Sequence, residues 1–241
     1  MLLAIKLAYR NLIGAGLRTW LNVLVLSFSF VVIIWIKGIM VGWDHQAKTD
    51  MTQYEIAGGQ YWQETYDPFD PLTLDISHAL IPAEVMPEIE AGDMEPTLLI
   101  PGHIFPNGRM QGVTIRGIRS GQSIWKLPTE KLDTVVDAIP AFIGLLMASS
   151  NKLETGDLVT IRWRDANGTF DAAEILIVDI FSSNVPGVEA GQVYIPLERL
   201  EELTLLEGHA TILSYRDPEA PRAELTGWTL KPKEVLTRQV D

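Results

Sequence analysis

Trp20 to Met40 reads WLNVLVLSFSFVVIIWIKGIM, an apolar run broken only by Asn22 and Lys37 and softened by Ser27 and Ser29. Extended to Trp43 it holds 24 residues, about 36 Å at the helical rise against a hydrocarbon core of about 30 Å. A buried helix of a soluble protein rarely runs this far without a polar face. A cleaved signal peptide fits poorly, because the stretch before the run is long and VGWDHQAK after it offers no small-x-small cleavage site. The reading is an uncleaved membrane anchor over 20–43. Trp20 and Trp43 bracket it as interfacial aromatics, and Lys37 sits near one end, where its stem reaches the headgroups.

Charge gives the anchor a direction. Residues 1–43 carry Lys6, Arg10, Arg18 and Lys37 and no acid, while the other 198 residues hold 15 basic and 31 acidic side chains. Lys6, Arg10 and Arg18 precede the span and DHQAKTD follows it without a basic excess, so the N-terminus is expected in the cytoplasm and the acidic remainder outside. Arg10, Arg18, Trp20, Lys37 and Trp43 form the expected membrane-interface set. Within the leader, 1–19, the four-residue spacing of Lys6 and Arg10 among apolar neighbours suits a short interfacial helix. The same residues serve equally as plain topology determinants. A net charge of −16 on residues 44–241 is a poor surface for nucleic-acid phosphates.

The acidic part is ordered: the chain is 47% hydrophobic, 21% charged and rich in turn formers, a composition of folded domains. It reads as a mixed α+β domain over 44–241, with two lobes expected. Strands are predicted over 53–62, with a glycine bulge, and over 97–105 and 110–117, joined at Pro106-Asn107-Gly108. Residues 64–75 read as loop and Pro82–Ala91 as a short helix. The stretches 120–127 and 129–138 read as helical, IPAFIG (139–144) as a buried strand, and GLLMASSNKL after it as a helix. The hairpin LVTIRWRD/AAEILIVDIF is the plainest signal. Val159, Ile161 and Trp163 share one face, and Asn167-Gly168 is expected as a type I′ turn with positive φ at both residues. VYIP (193–196) is a further strand, 197–206 an amphipathic helix, and ATILSYRD a last strand.

Chemistry is sparse. With no cysteine, disulfides, thiolate metal sites and cysteine nucleophiles are excluded. The histidines, at 45, 78, 103 and 209, are isolated in sequence and show no metal-ligand spacing. No G-x-S-x-G, Walker A or G-x-G-x-x-G stretch occurs, so the motifs of serine hydrolases and nucleotide binders are missing. No catalytic, metal-ligating or cofactor-binding residues are therefore assigned, no cofactor is expected in this chain, and Asp157 beside Gly156 reads as a turn residue. Tyr61, Trp62, Tyr66 and Phe69, interleaved with acids in a proline-rich stretch, form either a partner surface or a private core beneath the loop.

Several stretches, in order, resemble one family. AYRNL (8–12) followed by RTWLNVLVL (18–26) resembles the start of permeases of the MacB/FtsX-like ABC transporter superfamily, which includes lipoprotein-releasing and macrolide-exporting systems. GVTIRGI (112–118), IGLLMASSNKLETGDLVTI (143–161) and IVDIFSSNVPGVEAGQVYIPLERLEEL (177–203) resemble successive parts of its periplasmic core domain. The family pattern continues with three more membrane helices, so the resemblance implies either a piece of a longer permease or a degenerate single-span relative. It further implies a non-catalytic subunit in a bacterial inner membrane. The expected partners are an ABC ATPase that hydrolyses ATP, a second permease copy or paralogue, membrane lipid and a periplasmic acceptor protein, and the expected cargo is lipid-linked or amphipathic. Read without the family, the chain is a single-pass anchored binding or sensor protein, with a membrane-anchored hydrolase a weaker third reading.

Overall fold

The computed structural model describes residues 2–14, 16–220 and 222–238, and divides into two units, 1–46 and 47–241. The first holds helix α1, Leu2–Gly14, and most of α2, Gly16–Met51. Together with the π-helical turn Thr52–Ile56, α2 contains the only helical run among the described residues that is long and apolar enough to cross a membrane. No proline interrupts α2. Ser29 Oγ bonds back to the Val25 carbonyl at 2.8 Å, so even the hydroxyl on this apolar face is satisfied within the helix. Trp20, Lys37 and Trp43 lie exposed along α2 and Arg10 along α1; the Arg18 side chain falls outside the described residues.

Among the described residues, the second unit is built on eleven strands. They are β1 (Gly59–Gln63), β2 (Ala79–Leu80), β3 (Met94–Ile104), β4 (Gln111–Ile118), β5 (Ile139–Gly144), β6 (Leu158–Arg164), β7 (Phe170–Phe181), β8 (Gln192–Pro196), β9 (His209–Ala210), β10 (Ile212–Tyr215) and β11 (Trp228–Pro232). Short helices α3 (Met86–Glu90), α4 (Leu145–Asn151), α5 (Pro186–Gly191), α6 (Leu197–Thr204) and α7 (Lys233–Arg238) connect or cap them. Pairings run β3–β4–β8–β5–β7–β6 and return from β6 to β3, which closes a barrel; β4–β8 and β5–β7 are parallel and the rest antiparallel. The first four residues of β3 also pair with β10, extending a sheet in the order β11–β1–β10–β3. The expected two lobes are thus a barrel and a sheet sharing one long strand, within a single unit.

Alternation along the strands sorts the cores. Ile115, Ile143, Val193, Ile161, Trp163 and Ile177 turn into the barrel, closed by Met147 of α4 and Leu197 and Leu200 of α6. The adjacent residues Arg116, Phe142 and Tyr194 point to the outer face of the same wall, where Phe142 stacks on Tyr194 at 4.6 Å. That face is covered by Met51, Tyr54 and Ala57 and by the strap carrying Trp125 and Leu132.

Several expectations change. Residues 53–56 continue the helix as a π turn rather than opening a strand, and β1 starts only at Gly59. Residues 64–75 are loop only as far as Asp70, since Pro71–Ile76 form a 3-10 helix capped by the Asp70 carboxylate, the usual role of Asp at that position. The stretch 120–138 is not helical beyond one 3-10 turn at Thr129–Asp133. Gln122 Oε1 accepts from Ile124 N and Trp125 N and so takes the amides a helix would use. At the β6–β7 turn only Gly168 has positive φ, 82°. Asp165 accepts from Asn167 N and Thr169 N, and Gly168 N returns to the Asp165 carbonyl, giving a type I turn with a glycine bulge. Both residues take positive φ instead at Asn107-Gly108. ATILSYRD is not the last strand: β11 and α7 follow it.

Candidate functional site

Residues 47–57 are built into the folded unit. Ile56 and Ala57 are buried, Met51 and Tyr54 pack on the outer barrel core, and the Trp125 indole donates to the Glu55 carbonyl at 3.0 Å. Lys126 N donates to the Gln53 carbonyl and Gln60 Nε2 to that of Glu55. A π turn leaves carbonyls misaligned with their own helix, and these three donors take them up.

The strongest electrostatic contact in this region joins the turn to the barrel. Arg116 on β4 has no exposed surface, and its Nη1 donates to Glu55 Oε2 at 2.6 Å and to Gln192 Oε1 at 3.2 Å. Its guanidinium lies 5.3 Å from the Trp125 ring and 5.7 Å from that of Tyr194, within cation–π range of both. Burial is the largest single influence and lowers its pKa, but the Glu55 carboxylate, through its charge and its hydrogen bond, together with Tyr194 and Tyr66 holds it above the ordinary value, the direction a close opposite charge gives. Nε and Nη2 have no partner in the protein. Beside this pair opens a cavity of about 500 Å³ lined by Met51, Leu74, Leu99, Val185 and Val188 among others. Burial pushes the Tyr66 phenol in its wall up to about 12, so the hydroxyl stays protonated at neutral pH.

The aromatic set divides. Tyr61 and Trp62 are buried, not a partner surface: β1 lies between two strands, so its two faces meet two cores. Tyr61 packs with Tyr215 and Trp228 and donates to the Ala223 carbonyl at 2.8 Å, while Trp62 faces Ile56, Leu74 and Leu99. Tyr66 is half-buried against Trp62, and Phe69 is exposed.

Folding also joins two histidines that the sequence holds 131 positions apart. His78 and His209, beside the β2–β9 ladder, bring their Nδ1 atoms to 2.9 Å, a bond in which one ring donates and the other must be unprotonated there. The neighbouring pocket holds Asp75, Arg164 and Asp165, with Arg164 3.6 Å from Asp75. Burial lowers the pKa of both rings; the neighbouring His209 lowers that of His78 further, and Asp75 partly offsets this. As pH falls below the ordinary value of 6.5, the unfolded chain takes up protons that the folded chain resists, so stability is full above that pH and declines beneath it. A His78→Asn/His209→Asn double variant is expected to flatten the decline in unfolding midpoint between about pH 6.5 and 5. An unchanged profile would show that these rings do not set it. Among the described residues, no group of three or more His, Asp or Glu side chains is arranged to hold a metal ion.

No family model matches the chain, and no curated protein does. Among solved structures it is similar to the extracellular domain of the noncanonic ABC-type transporter YknZ from Gram-positive bacteria, at 12% identity over 67% of this chain and 83% of that one, with a TM-score of 0.39. It is also similar to the periplasmic region of MacB from Actinobacillus actinomycetemcomitans, at 7% identity over 61% of this chain and 74% of that one, with a TM-score of 0.40.

Proposed function

We propose that this chain is a permease subunit of an ABC transport system, in which an ATPase partner supplies motion that the extracytoplasmic domain uses to move a lipid-linked or amphipathic cargo. The observation that carries the reading is the packing of residues 51–57: the segment continuing the apolar helix is a component of the outer barrel core, tied by Glu55 to Arg116. A displacement entering along that segment is delivered to the barrel wall rather than dissipated in a linker, which is what mechanical coupling asks of a joint. The sequence resemblance supports the same reading in an ordered way. GVTIRGI forms β4, IGLLMASSNKLETGDLVTI runs through the end of β5, α4 and β6, and IVDIFSSNVPGVEAGQVYIPLERLEEL runs from β7 through α5 and β8 into α6. On this reading the N-terminus is cytoplasmic, the domain lies outside a bacterial inner membrane, and a second permease copy or paralogue completes the complex. Release of lipoproteins to a periplasmic acceptor is one form the transport would take.

The test is reconstitution of the complete transporter with its ATPase in proteoliposomes, with and without residues 59–236. Loss of cargo movement with ATP hydrolysis largely retained is the expected result. Full transport by the deleted form would end the reading, and so would a reporter fused after Asp50 that works only in the cytoplasm.

A further inference from the structure

The His78–His209 bond sits where a single contact decides whether a segment stays down. The Nδ1 atoms are 2.9 Å apart and the ring centroids 5.1 Å apart, a difference of nearly two ring radii, so the two nitrogens point at each other. One Nδ1–H therefore donates to one Nδ1 lone pair. A first proton, taken up at the outer Nε2 of the donating ring, leaves that bond in place. For a second, the remaining site is the accepting Nδ1 itself. Its protonation puts a hydrogen on both facing nitrogens and like charges on both rings, and the bond is lost.

What the bond holds is β2. Next to β9, Thr211 is secured on β3, its N–H donating to the Thr97 carbonyl and its Oγ1 accepting from Leu99 N. Among the described residues β2 pairs with β9 alone, over Ala79↔Ala210 and Leu80↔His209, and Ile81 N adds one link to the Gly208 carbonyl at 2.9 Å. A two-stranded ladder this short is marginal by itself. His78, with Asp75 and Ile76 before it, walls a cavity of about 290 Å³ whose other lining includes Ile100 and Leu206, so lifting β2 opens that space. The charged groups around the pair are Asp75 on the 3-10 turn, Arg164 and Asp165 at the β6–β7 turn, and Glu201 on α6, whose Oε1 accepts from Gly208 N at 3.2 Å and which Glu198 and Glu207 flank. Burial disfavours the charged form of both rings in the closed arrangement, whereas rings freed into water accept protons readily. We propose that the His78–His209 bond is an acid-released latch: protonation of both rings frees β2 from β9 and opens the cavity beside it while the barrel stays folded.

The whole-chain unfolding midpoint sums every titrating group, so the test has to be local. Hydrogen exchange of the full chain in detergent micelles is followed by mass spectrometry between about pH 7.5 and 5, and read as protection factors so that the intrinsic pH dependence of exchange drops out. In peptides covering 79–81 and 208–210, protection is expected to fall at least tenfold below about pH 6.5, the effect over one pH unit of one extra proton on the open form. Peptides from β5 (139–144) and β8 (192–196) are expected to keep theirs. His78→Asn/His209→Asn, with the barrel peptides as its check on folding, is expected to show the same protection at 79–81 at both ends of the range. Burial raises the pKa of Glu201, which makes it the rival trigger, and Glu201→Gln is expected to retain the fall seen in the native chain. Protection at 79–81 that ignores pH in the native chain would overturn the proposal, as would an equal fall in β5 and β8, which marks global unfolding. So would a fall that survives the double histidine variant or vanishes in Glu201→Gln. The comparison of β2 with the barrel within the native chain needs no variant, so it decides the matter even if the double variant does not fold.

Discussion

Glu55→Ala is expected to lower the unfolding free energy of the chain in detergent micelles by about 3–5 kcal/mol, the cost of leaving one member of a buried ion pair behind. Arg116 cannot escape by losing its proton, and with no exposed surface it cannot turn to water. It would keep one hydrogen bond, to Gln192, and its two aromatic neighbours. Arg116→Met is expected to cost less, about 1–2 kcal/mol, although it removes the larger side chain, because the buried charge leaves with it. The Glu55 left behind is 22% exposed and can be hydrated through the cavity. In the Glu55→Ala/Arg116→Met double variant the losses are expected to fall short of their sum, since neither charge remains buried. Denaturant titration followed by tryptophan fluorescence checks all three. If Arg116→Met proves the costlier single change, the guanidinium stabilises chiefly by lying against Trp125 and Tyr194, and the ion pair is not the joint described here.

The sequence exposed what local chemistry decides and hid what distant residues decide. The β6–β7 hairpin was legible because Val159, Ile161 and Trp163 alternate with charged or polar residues before a glycine turn, and the observed burial follows that alternation residue by residue. The turn type was not, because Asp165 supplies side-chain hydrogen bonds that settle the loop into a different geometry. Residues 53–56 carry strand-like tyrosine and isoleucine, yet they are held helical by donors from Trp125 and Lys126, distant in the chain. For Tyr61 and Trp62 the sequence leaves partner surface and private core both open, because only one neighbouring loop is visible in it; β11, which pairs with β1, is a short strand after a proline-containing stretch and carries no signal. Arg116 was invisible as a site residue for a related reason. In GVTIRGI it is an ordinary outward-facing position, and only the return of Glu55 and Trp125 over that face buries it.

Gly58, by sequence a bulge position in a strand, is held by a tighter constraint in the fold, and that constraint makes the second large effect. It sits between the π turn and β1, where its N–H donates to the Tyr215 carbonyl at 2.8 Å. A Cβ there would lie 2.4 Å from the Arg216 carbonyl oxygen and 2.8 Å from that of Tyr215. Those are backbone atoms at the end of β10, so no rotamer change clears the space; either the hydrogen bond or the strand pairing has to open. Gly58→Ala is expected to cost about 3 kcal/mol, the upper end for overpacking, because the clash is with the main chain. The strain is directed at the joint itself. Moving β1 off β10 loosens the register Gly59↔Tyr215 to Trp62↔Ile212, and with it the burial of Ile56 and Trp62 on the same core. Gly121→Ala serves as the control, since its added Cβ meets nothing within 4 Å, and a change within about 0.5 kcal/mol is expected. Under the transport reading, Gly58→Ala should also uncouple the assembled transporter, reducing cargo moved per ATP hydrolysed while Gly121→Ala leaves that ratio alone. A Gly58→Ala chain as stable as the control would show that β1 does not approach β10 this closely, and the residue would lose its place in the joint.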